Sequence, residues 1–555
     1  PTDKMPNALI GKINFSIFEK IWDGYLKHTN MKNSILLFTG LCSIGALASC
    51  QQEEAKNEFP NIVIIFADDM GYGDVSGLNP EAKTYTPAID GLIEDGLTFT
   101  EAHASASVCT PSRYGLLTGR YAFRNKIKGG NVNGFGSSVF EKDRKTMADL
   151  LNDAGYTTAC VGKWHLGFDW QTDPEGEEPV QSRETNHSNV DYSEPIEYGP
   201  NFFGFDYSFI HPASLDIPPY LFLENQQAID DEMVLSSDVY PLRLEDTEYA
   251  WDKKHTREDD IYWDKGVWWR DGEMAESFRI EDCMGDIVDA GIRFIERHEN
   301  DEKDNPFFLY LPLTGPHTPW VPEDRFKGKS AVETYGDFIL NIDHVVERVD
   351  EKLEALGVSE NTMLIFASDN GGYWPEQEIA LQNHDSNYGR RGQKGDIWDG
   401  GHHEPLIIKW PSKIQSPATY EHLVSFTDFY ATFADLTGQE LEKDAGEDSF
   451  SFLHVLNGDT AKPVRNSMIH HSSAKMFAIR ADGWKYIDGL GSGGFTSPTR
   501  RKPEPGEPEG QLYNLDKDPM ESNNLFKEHP VVVKKLKEKL EQQKEQGYSR
   551  EMNGE

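Results

Sequence analysis

The chain has 555 residues, 37% of them hydrophobic, and a formal net charge of -40 from 94 acidic against 54 basic side chains. That length supports one large core, or a large domain with a smaller companion, in a globular chain with long polar loops. So acidic a balance excludes nucleic acid as a partner, because a phosphate backbone needs a basic face, yet a local cluster of Arg, Lys and His can still hold a single anion or a polyanion.

In chain order, the first readable element is "MKNSILLFTGLCSIGALASC", ending at Cys50. Lys32 precedes an apolar run too short to span a bilayer, which is the layout of a signal peptide. Leu47-Ala48-Ser49-Cys50 resembles a bacterial lipobox, which implies lipidation of Cys50. Met31 is then the start, residues 1–30 an upstream extension without a role, 31–49 the signal and 50–58 a polar tether. An N-terminal amphipathic helix is the alternative. The tether has no Asp beside the lipid cysteine, which points to the outer membrane of a Gram-negative bacterium, with attachment by the lipid alone.

The body begins at Phe59. Four runs, "NIVIIFADD", "TTACVGKWHLG", "PFFLYLPLTGPH" and "NTMLIFASDN", are continuous, apolar and rich in β-branched or aromatic residues. Such runs mark strands buried on both faces of a sheet. Each ends in polar residues: Asp68 and Asp69, Lys163 and His165, His317, then Asp369 and Asn370. Helical stretches such as "KTMADLLNDAG" and "YGDFILNIDHVVERVDEKLEALG" lie between them. The alternation predicts an α/β fold, a large and mostly parallel mixed sheet sandwiched by helices, with the ligand site at the carboxyl ends of the strands. Two acidic insertions, near 171–200 and 225–282, interrupt the pattern. Trp251, Trp263, Trp268 and Trp269 in the second are read either as packing residues or as platforms for sugar rings. After a catalytic domain over 59–440, residues 441–555 read as a smaller subdomain of antiparallel strands and a closing helix, "PVVVKKLKEKLEQQKEQ".

Of the 5 cysteines, Cys42 leaves with the signal and Cys50 carries lipid. Cys109, Cys160 and Cys283 remain, too few for a disulfide framework; Cys160 and Cys283 either pair or are buried thiols. Cys109 opens "CTPSRYGLLTG", where Pro111 suits the first turn of a short helix that Gly119 ends. The cysteine thus lies at the positive end of a helix, where an anion is welcome, and Arg113 one turn later can reach the same place.

"CTPSRYGLLTGR" resembles the Cys-x-Pro-Ser-Arg-x-x-x-x-Thr-Gly signature of the type I sulfatases, of the alkaline phosphatase superfamily. "GKWHLG", "GPHTPW", "SDNGG" and "RGQKGDIWDGG" follow in that family's order, and the resemblance runs from Phe59 almost to the end. It implies an alkaline phosphatase-like fold and oxidation of Cys109 by a formylglycine-generating enzyme to formylglycine (3-oxoalanine). It also implies a metal held by Asp68, Asp69, Asp369, Asn370 and the modified Cys109. Hard oxygen donors suit Ca²⁺, with Mg²⁺ second; helix-capping carboxylates are the plainer alternative. The mechanism so implied hydrates the aldehyde, attacks sulfur with one diol hydroxyl deprotonated with help from Asp369, and expels sulfate through the other. Lys163 and Lys394 would hold sulfate oxygens, Arg113 the diol, His317 would protonate the leaving sugar oxygen, and His165 would accept the second hydroxyl's proton. Lys163 and His165, two apart on an extended segment, would face one pocket.

Substrate contacts follow by position: Ser214 and Asp216 in "HPASLDIPPY", and His384, Asp385, Asn387 and Arg391 ahead of Lys394. His403 stands where the family usually has Arg, either tuning the substrate or structural, and His470 and His471 are candidates for the pocket rim. The expected activity is hydrolysis of sulfate esters on a sulfated polysaccharide or its oligosaccharides. The acidic, exported character favours a marine algal glycan, ulvan first, then carrageenan or fucoidan. The alternatives are a glycosaminoglycan sulfatase, a phosphodiester or phosphonate hydrolase of the same superfamily, and a catalytically dead glycan-binding lipoprotein.

Overall fold

The computed structural model describes residues 59–125, 130–173, 188–240, 270–302, 304–374 and 376–550. Cys50, the signal and tether, and Trp251, Trp263, Trp268 and Trp269 lie outside these residues.

The four apolar runs are neighbouring strands. A ten-stranded sheet has the spatial order β13 (Ala418–Tyr420), β2 (Leu97–Phe99), β12 (Leu406–Lys409), β11 (Thr362–Ser368), β1 (Asn61–Asp68), β10 (Phe307–Pro316), β4 (Thr157–Lys163), β5 (Tyr207–His211), β6 (Leu223–Glu224) and β7 (Gln227–Ala228). From β11 to β5 every pairing is parallel; β12 and β6 turn antiparallel on the two flanks, which makes the sheet mixed. Every residue of β1, β10 and β11 is buried, the reason these strands carry no polar alternation.

Helices cover both faces. Successive residues of β10 point to opposite sides. Leu309 and Leu311 pack on Gly291 of the helix Cys283–Asp301, whereas Phe308 meets Phe433 of the helix Asp428–Thr437. The predicted helical stretches form Met147–Asp153, opened by a Thr146/Asp149 capping box, and Glu333–Leu356, closed by Gly357 at φ 76°. Two short pairings, β3 (Ala102–His103) with β14 (Val424–Ser425) and β8 (Met233–Leu235) with β9 (Glu273–Ala275), lie outside the main sheet.

The chain then forms a four-stranded antiparallel meander, β15 (Ser467–His471), β16 (Phe477–Ala481), β17 (Trp484–Ile487) and β18 (Gln511–Asn514). The closing helix, Pro530–Gln546, lays Leu536 and Leu540 on Ile469, Ile479, Tyr486 and Leu512. This sheet is tied to the segment that leads into Cys109: His471 N donates to Ser105 O (3.3 Å) and Ser107 N to His471 O (3.2 Å). Behind that seam is a buried charge network. Asp399 accepts from Arg480 (3.1 Å) and Lys485 (2.7 Å), Arg480 also pairs with Glu101 (2.6 Å), and Lys485 with Glu521 (2.9 Å). Burial works against the Asp399 carboxylate, but the two cations hold it well below the usual carboxylate range.

Candidate active site

The polar ends of the runs converge at the carboxyl edge of the parallel strands. Asp68 is the last residue of β1, and Asp69 leaves the strand in the left-handed region at φ 67°. Ala67 is in register with Ser368, so Asp369 and Asn370 emerge beside them. Asp69 N donates to Asp369 Oδ1 (3.1 Å), and Asn370 Nδ2 to Asp69 Oδ1 (2.7 Å). Cys109 is the first residue of the helix Cys109–Thr118, which Gly119 closes at φ 64° as the sequence predicts. Its thiol donates to Asp68 Oδ1 (3.4 Å).

Three cations surround this point. Lys163 Nζ lies 2.5 Å from Asp68 Oδ2 and 3.7 Å from Cys109 Sγ. Lys394 Nζ lies 2.7 Å from Asp69 Oδ2 and 3.6 Å from the same sulfur. Arg113 reaches back one turn, donating through Nε and Nη2 to Asp369 Oδ2 (3.0 and 2.8 Å) and through Nη2 to Asp68 Oδ1 (3.2 Å). Burial and the Asp369 carboxylate push the Cys109 thiol well up, so it is a neutral thiol and a poor nucleophile as it stands. Burial opposes the Asp68 charge too, but Lys163, His317 and Arg113 hold that carboxyl well down. Burial pushes Asp369 up to about 7, against Arg113 and with the repulsion of Asp68 and Asp69.

This donor set fits a hard divalent cation. One oxygen each of Asp68, Asp69 and Asp369 and the Cys109 sulfur lie within 4.8 Å of one another. The side-chain oxygen of Asn370 is buried with no hydrogen-bond partner. Crowded carboxylates and an orphaned amide oxygen are what oxygen-ligated Ca²⁺ or Mg²⁺ satisfies.

The two histidines are placed differently. His317 Nδ1 donates to Thr318 O (2.6 Å) and lies 3.2 Å from Ser214 Oγ, while Nε2 faces the cluster 3.8 Å from Asp69. His165 is not on an extended segment: β4 ends at Lys163, and His165 takes a left-handed φ of 54°. Its Nε2 donates to Val132 O (2.9 Å), and Nδ1 is buried without a hydrogen bond. Burial, with Lys394 beside His317 and Lys163 beside His165, lowers the pKa of both rings.

Ser214 joins the cluster, accepting from Lys163 Nζ at 3.4 Å. Asp216 lies 4.0 Å from His317 and is clamped by Arg270, a residue that sequence reasoning missed because it lies within the second acidic insertion, away from any motif. The other expected contacts all have partners within the protein, and of them Arg391 is exposed to solvent. His384 donates through Nε2 to Asp74 (2.8 Å) and accepts the Lys83 N–H on Nδ1 (3.3 Å). Asp385 accepts from Asn387 N within its own loop, and Asn387 Oδ1 accepts from Gly372 N on the turn that follows Asn370. Arg391 lies over the Trp398 ring and donates to Tyr513 OH (3.0 Å). His403 accepts from Arg390 (2.8 Å) and donates to Thr100 O (2.9 Å). His470 stacks on His402 (3.9 Å between ring centroids) in the seam, and His471 is buried beside Phe123 and Phe477. Cys160 and Cys283 are buried free thiols. Asp74 also escaped the sequence reading, although "GYGD" follows the first acidic pair; its Oδ2 accepts from Gly71 N, Tyr335 OH and Ser386 Oγ, locking the loop that carries His384.

A family model described as Sulfatase matches residues 60–439, and one described as N-sulphoglucosamine sulphohydrolase, C-terminal, matches 393–546. An N-acetylgalactosamine-6-O-sulfatase of Bacteroides thetaiotaomicron is 34% identical over 532 residues, covering 92% of this chain and 99% of its own. An arylsulfatase of Hemicentrotus pulcherrimus is 28% identical, over 80% of this chain and 70% of its own. A solved Bacteroides thetaiotaomicron structure, described with the metabolism of multiple glycosaminoglycans, superposes with a TM-score of 0.73 at 32% identity, covering 88% of this chain and 99% of that one.

Proposed function

Because the chain belongs to the sulfatase family, whose members hydrolyse sulfate esters, we propose that it removes sulfate from a glycan by means of a formylglycine made from Cys109. The observation that carries the reading is Cys109 itself: a buried, neutral thiol at a helix N-terminus, within 3.7 Å of two lysines and 3.4 Å of a carboxylate. A thiol so placed is ill suited to attack, whereas an oxygen nucleophile in its position would lie between the cations that receive a sulfate. A formylglycine at this position would supply that oxygen in its hydrated form, and a Ca²⁺ ion, which Asp68, Asp69, Asp369 and Asn370 would hold, would supply Lewis acidity.

The chain's own residues do the rest. Lys163 and Lys394 hold equatorial sulfate oxygens as charge builds. Arg113 fixes the carboxylates Asp68 and Asp369, and so the first turn of the cysteine helix. His317 keeps Nδ1 on Thr318 O and turns Nε2 to the cluster, so it acts as general acid towards the departing sugar oxygen in its doubly protonated form, which the facing Asp69 and Asp68 carboxylates favour against burial and Lys394. His165 has a free Nδ1 and serves as the base that returns the site to its resting state. Ser214 bridges Lys163 and His317, so it couples the anion-holding and proton-donating sides.

For the substrate, a 6-O-sulfated N-acetylgalactosamine within a glycosaminoglycan takes precedence over the algal glycans. The full-length relative at 34% identity bears that activity in its name. Export as a lipoprotein through Cys50 and maturation by a formylglycine-generating enzyme complete the proposal.

The test is sulfate release from defined 6-O-sulfated glycosaminoglycan and algal oligosaccharides by protein co-produced with the maturation enzyme, with Cys109→Ala alongside. Release from the 6-O-sulfated hexosamine, absent in the variant, is the expected result. Release from algal glycans alone overturns the substrate assignment, and hydrolysis of phosphate diesters without any sulfate release overturns the sulfatase reading.

A further inference from the structure

The loop 489–503 is strapped to the segment bearing Lys394. Ile397 N donates to Ser492 O (2.7 Å), and Thr496 donates to Asp396 through its backbone N–H (3.0 Å) and its hydroxyl (2.6 Å). Between these anchors Phe495 lies flat against Gly395: a Cβ at that glycine would meet the ring at 2.9 Å, and Gly395 has φ 87°. Phe495 is 51% exposed all the same. Its edge-on neighbour is Tyr373, with ring centroids 5.9 Å apart and planes at 87°. Tyr373 follows the Asp369-Asn370 pair on the strand-end turn, and Lys394 N donates to Gly372 O (3.1 Å). Tyr373 thus comes from the turn that supplies Asp369 and Asn370, and Phe495 from the loop strapped onto the segment that supplies Lys394. Exposed cations border the patch: Arg500, whose guanidinium donates to Ala474 O (2.5 Å), and Lys475 on the turn that pairs with Gly493.

We propose that Phe495, braced by Tyr373, is a stacking platform for the sugar ring next to the sulfated one, so that the protein reads a sulfated oligosaccharide and not a lone sulfated sugar. The inference rests on the proposed sulfatase reading. A flat, exposed, immobilised ring suits the apolar C–H face of a pyranose at little entropic cost. The ring lies on Gly395, the residue after Lys394, so a glycan whose sulfate is held at Lys394 would carry its neighbouring sugar towards Phe495, and the flanking cations match the further charges of a sulfated polymer in an otherwise acidic chain.

The test is titration of a chondroitin 6-sulfate tetrasaccharide and of N-acetylgalactosamine 6-sulfate into Cys109→Ala protein, which binds without turnover. The tetrasaccharide binds more tightly than the monosaccharide, and Phe495→Ala reduces that ratio about tenfold, the scale of one lost aromatic contact. Phe495→Trp retains it. A tetrasaccharide that binds no better than the monosaccharide, or a Phe495→Ala variant that weakens both ligands alike or neither, overturns the proposal. Sulfate release by the matured enzyme is scored separately. Its absence from every sulfated sugar counts against the function, whereas a lost binding ratio concerns the platform alone.

Discussion

His471 offers a prediction that needs no substrate. The ring is buried beside Phe123 and Phe477, donates weakly to Ser472 O (3.3 Å), and leaves Nε2 without a partner. Burial, helped by Lys475, lowers it from 6.5 to about 4. The native protein therefore refuses a proton that the unfolded chain accepts below the ordinary histidine pKa. Where the unfolded state binds more protons, stability rises with pH, so this contribution is complete above 6.5 and is lost as pH falls toward the folded value. Between the ordinary value and about pH 5 lie about 1.5 pH units, and at about 1.36 kcal/mol for each the loss is about 2 kcal/mol. His471→Gln removes the titration and keeps a polar side chain of similar length. Urea denaturation of wild type and variant at about pH 7.5 and about pH 5 should show the pH-dependent loss smaller by about 2 kcal/mol in the variant. Equal losses in the two proteins would refute the reasoning, because they would mean that native His471 takes up its proton freely. His211, lowered to about 4 by burial against Phe278 and Tyr220, is expected to behave alike.

Other outcomes follow from the site and the seam. Lys163→Met and Lys394→Met should each lower kcat for sulfate release by about 100-fold with smaller changes in KM, since both lysines act on charge that develops during reaction. Comparable rises in KM with kcat intact would reassign them to ground-state binding. Stripping divalent cations should lower the melting temperature by a few degrees, because an ion that binds the folded donor set and not the unfolded chain stabilises the fold, and Ca²⁺ should restore it at lower concentration than Mg²⁺. A melting temperature indifferent to both ions would count against the donor set. Arg480→Met leaves the buried Asp399 carboxylate with one cation fewer, whereas the partly exposed Glu101 is left to water, and should cost about 3 kcal/mol by urea denaturation. A cost near zero would show that Lys485 alone satisfies Asp399.

The sheet was legible because burial on both faces leaves a local mark: four uninterrupted apolar runs became β11, β1, β10 and β4, side by side and parallel. Their polar tips were legible for the same reason, since a strand end is fixed by the strand itself. Cys109, Arg113 and Gly119 could be placed because a single helix turn relates them. What failed to show in the sequence depends on pairings between distant segments. His384 looked free until Asp74 and Lys83, some three hundred residues earlier, took both ring nitrogens. His403 replaces an expected Arg, and in the fold Arg390 supplies the guanidinium beside it. His165 misled for a local reason: the strand ends two residues before it, and a left-handed turn, not alternation, sets its direction.

The same distinction explains how so acidic a chain can bind an anion. Its net charge of -40 is spread over the surface, where water and salt screen it. At the strand tips Arg113, Lys163 and Lys394 face Asp68, Asp69 and Asp369 in a buried volume, three cations against three anions. That balance makes the site formally neutral before any ion enters, so a bound dication leaves it positive, and burial lets that local excess outweigh the distant surface charge. A sulfate ester is drawn to this excess whatever the whole molecule carries. The surface charge should act instead on encounter: association with a sulfated glycan should quicken as salt is raised, the reverse of the usual trend for a polyanion and its receptor, whereas the bound state held at Lys163 and Lys394 should change little.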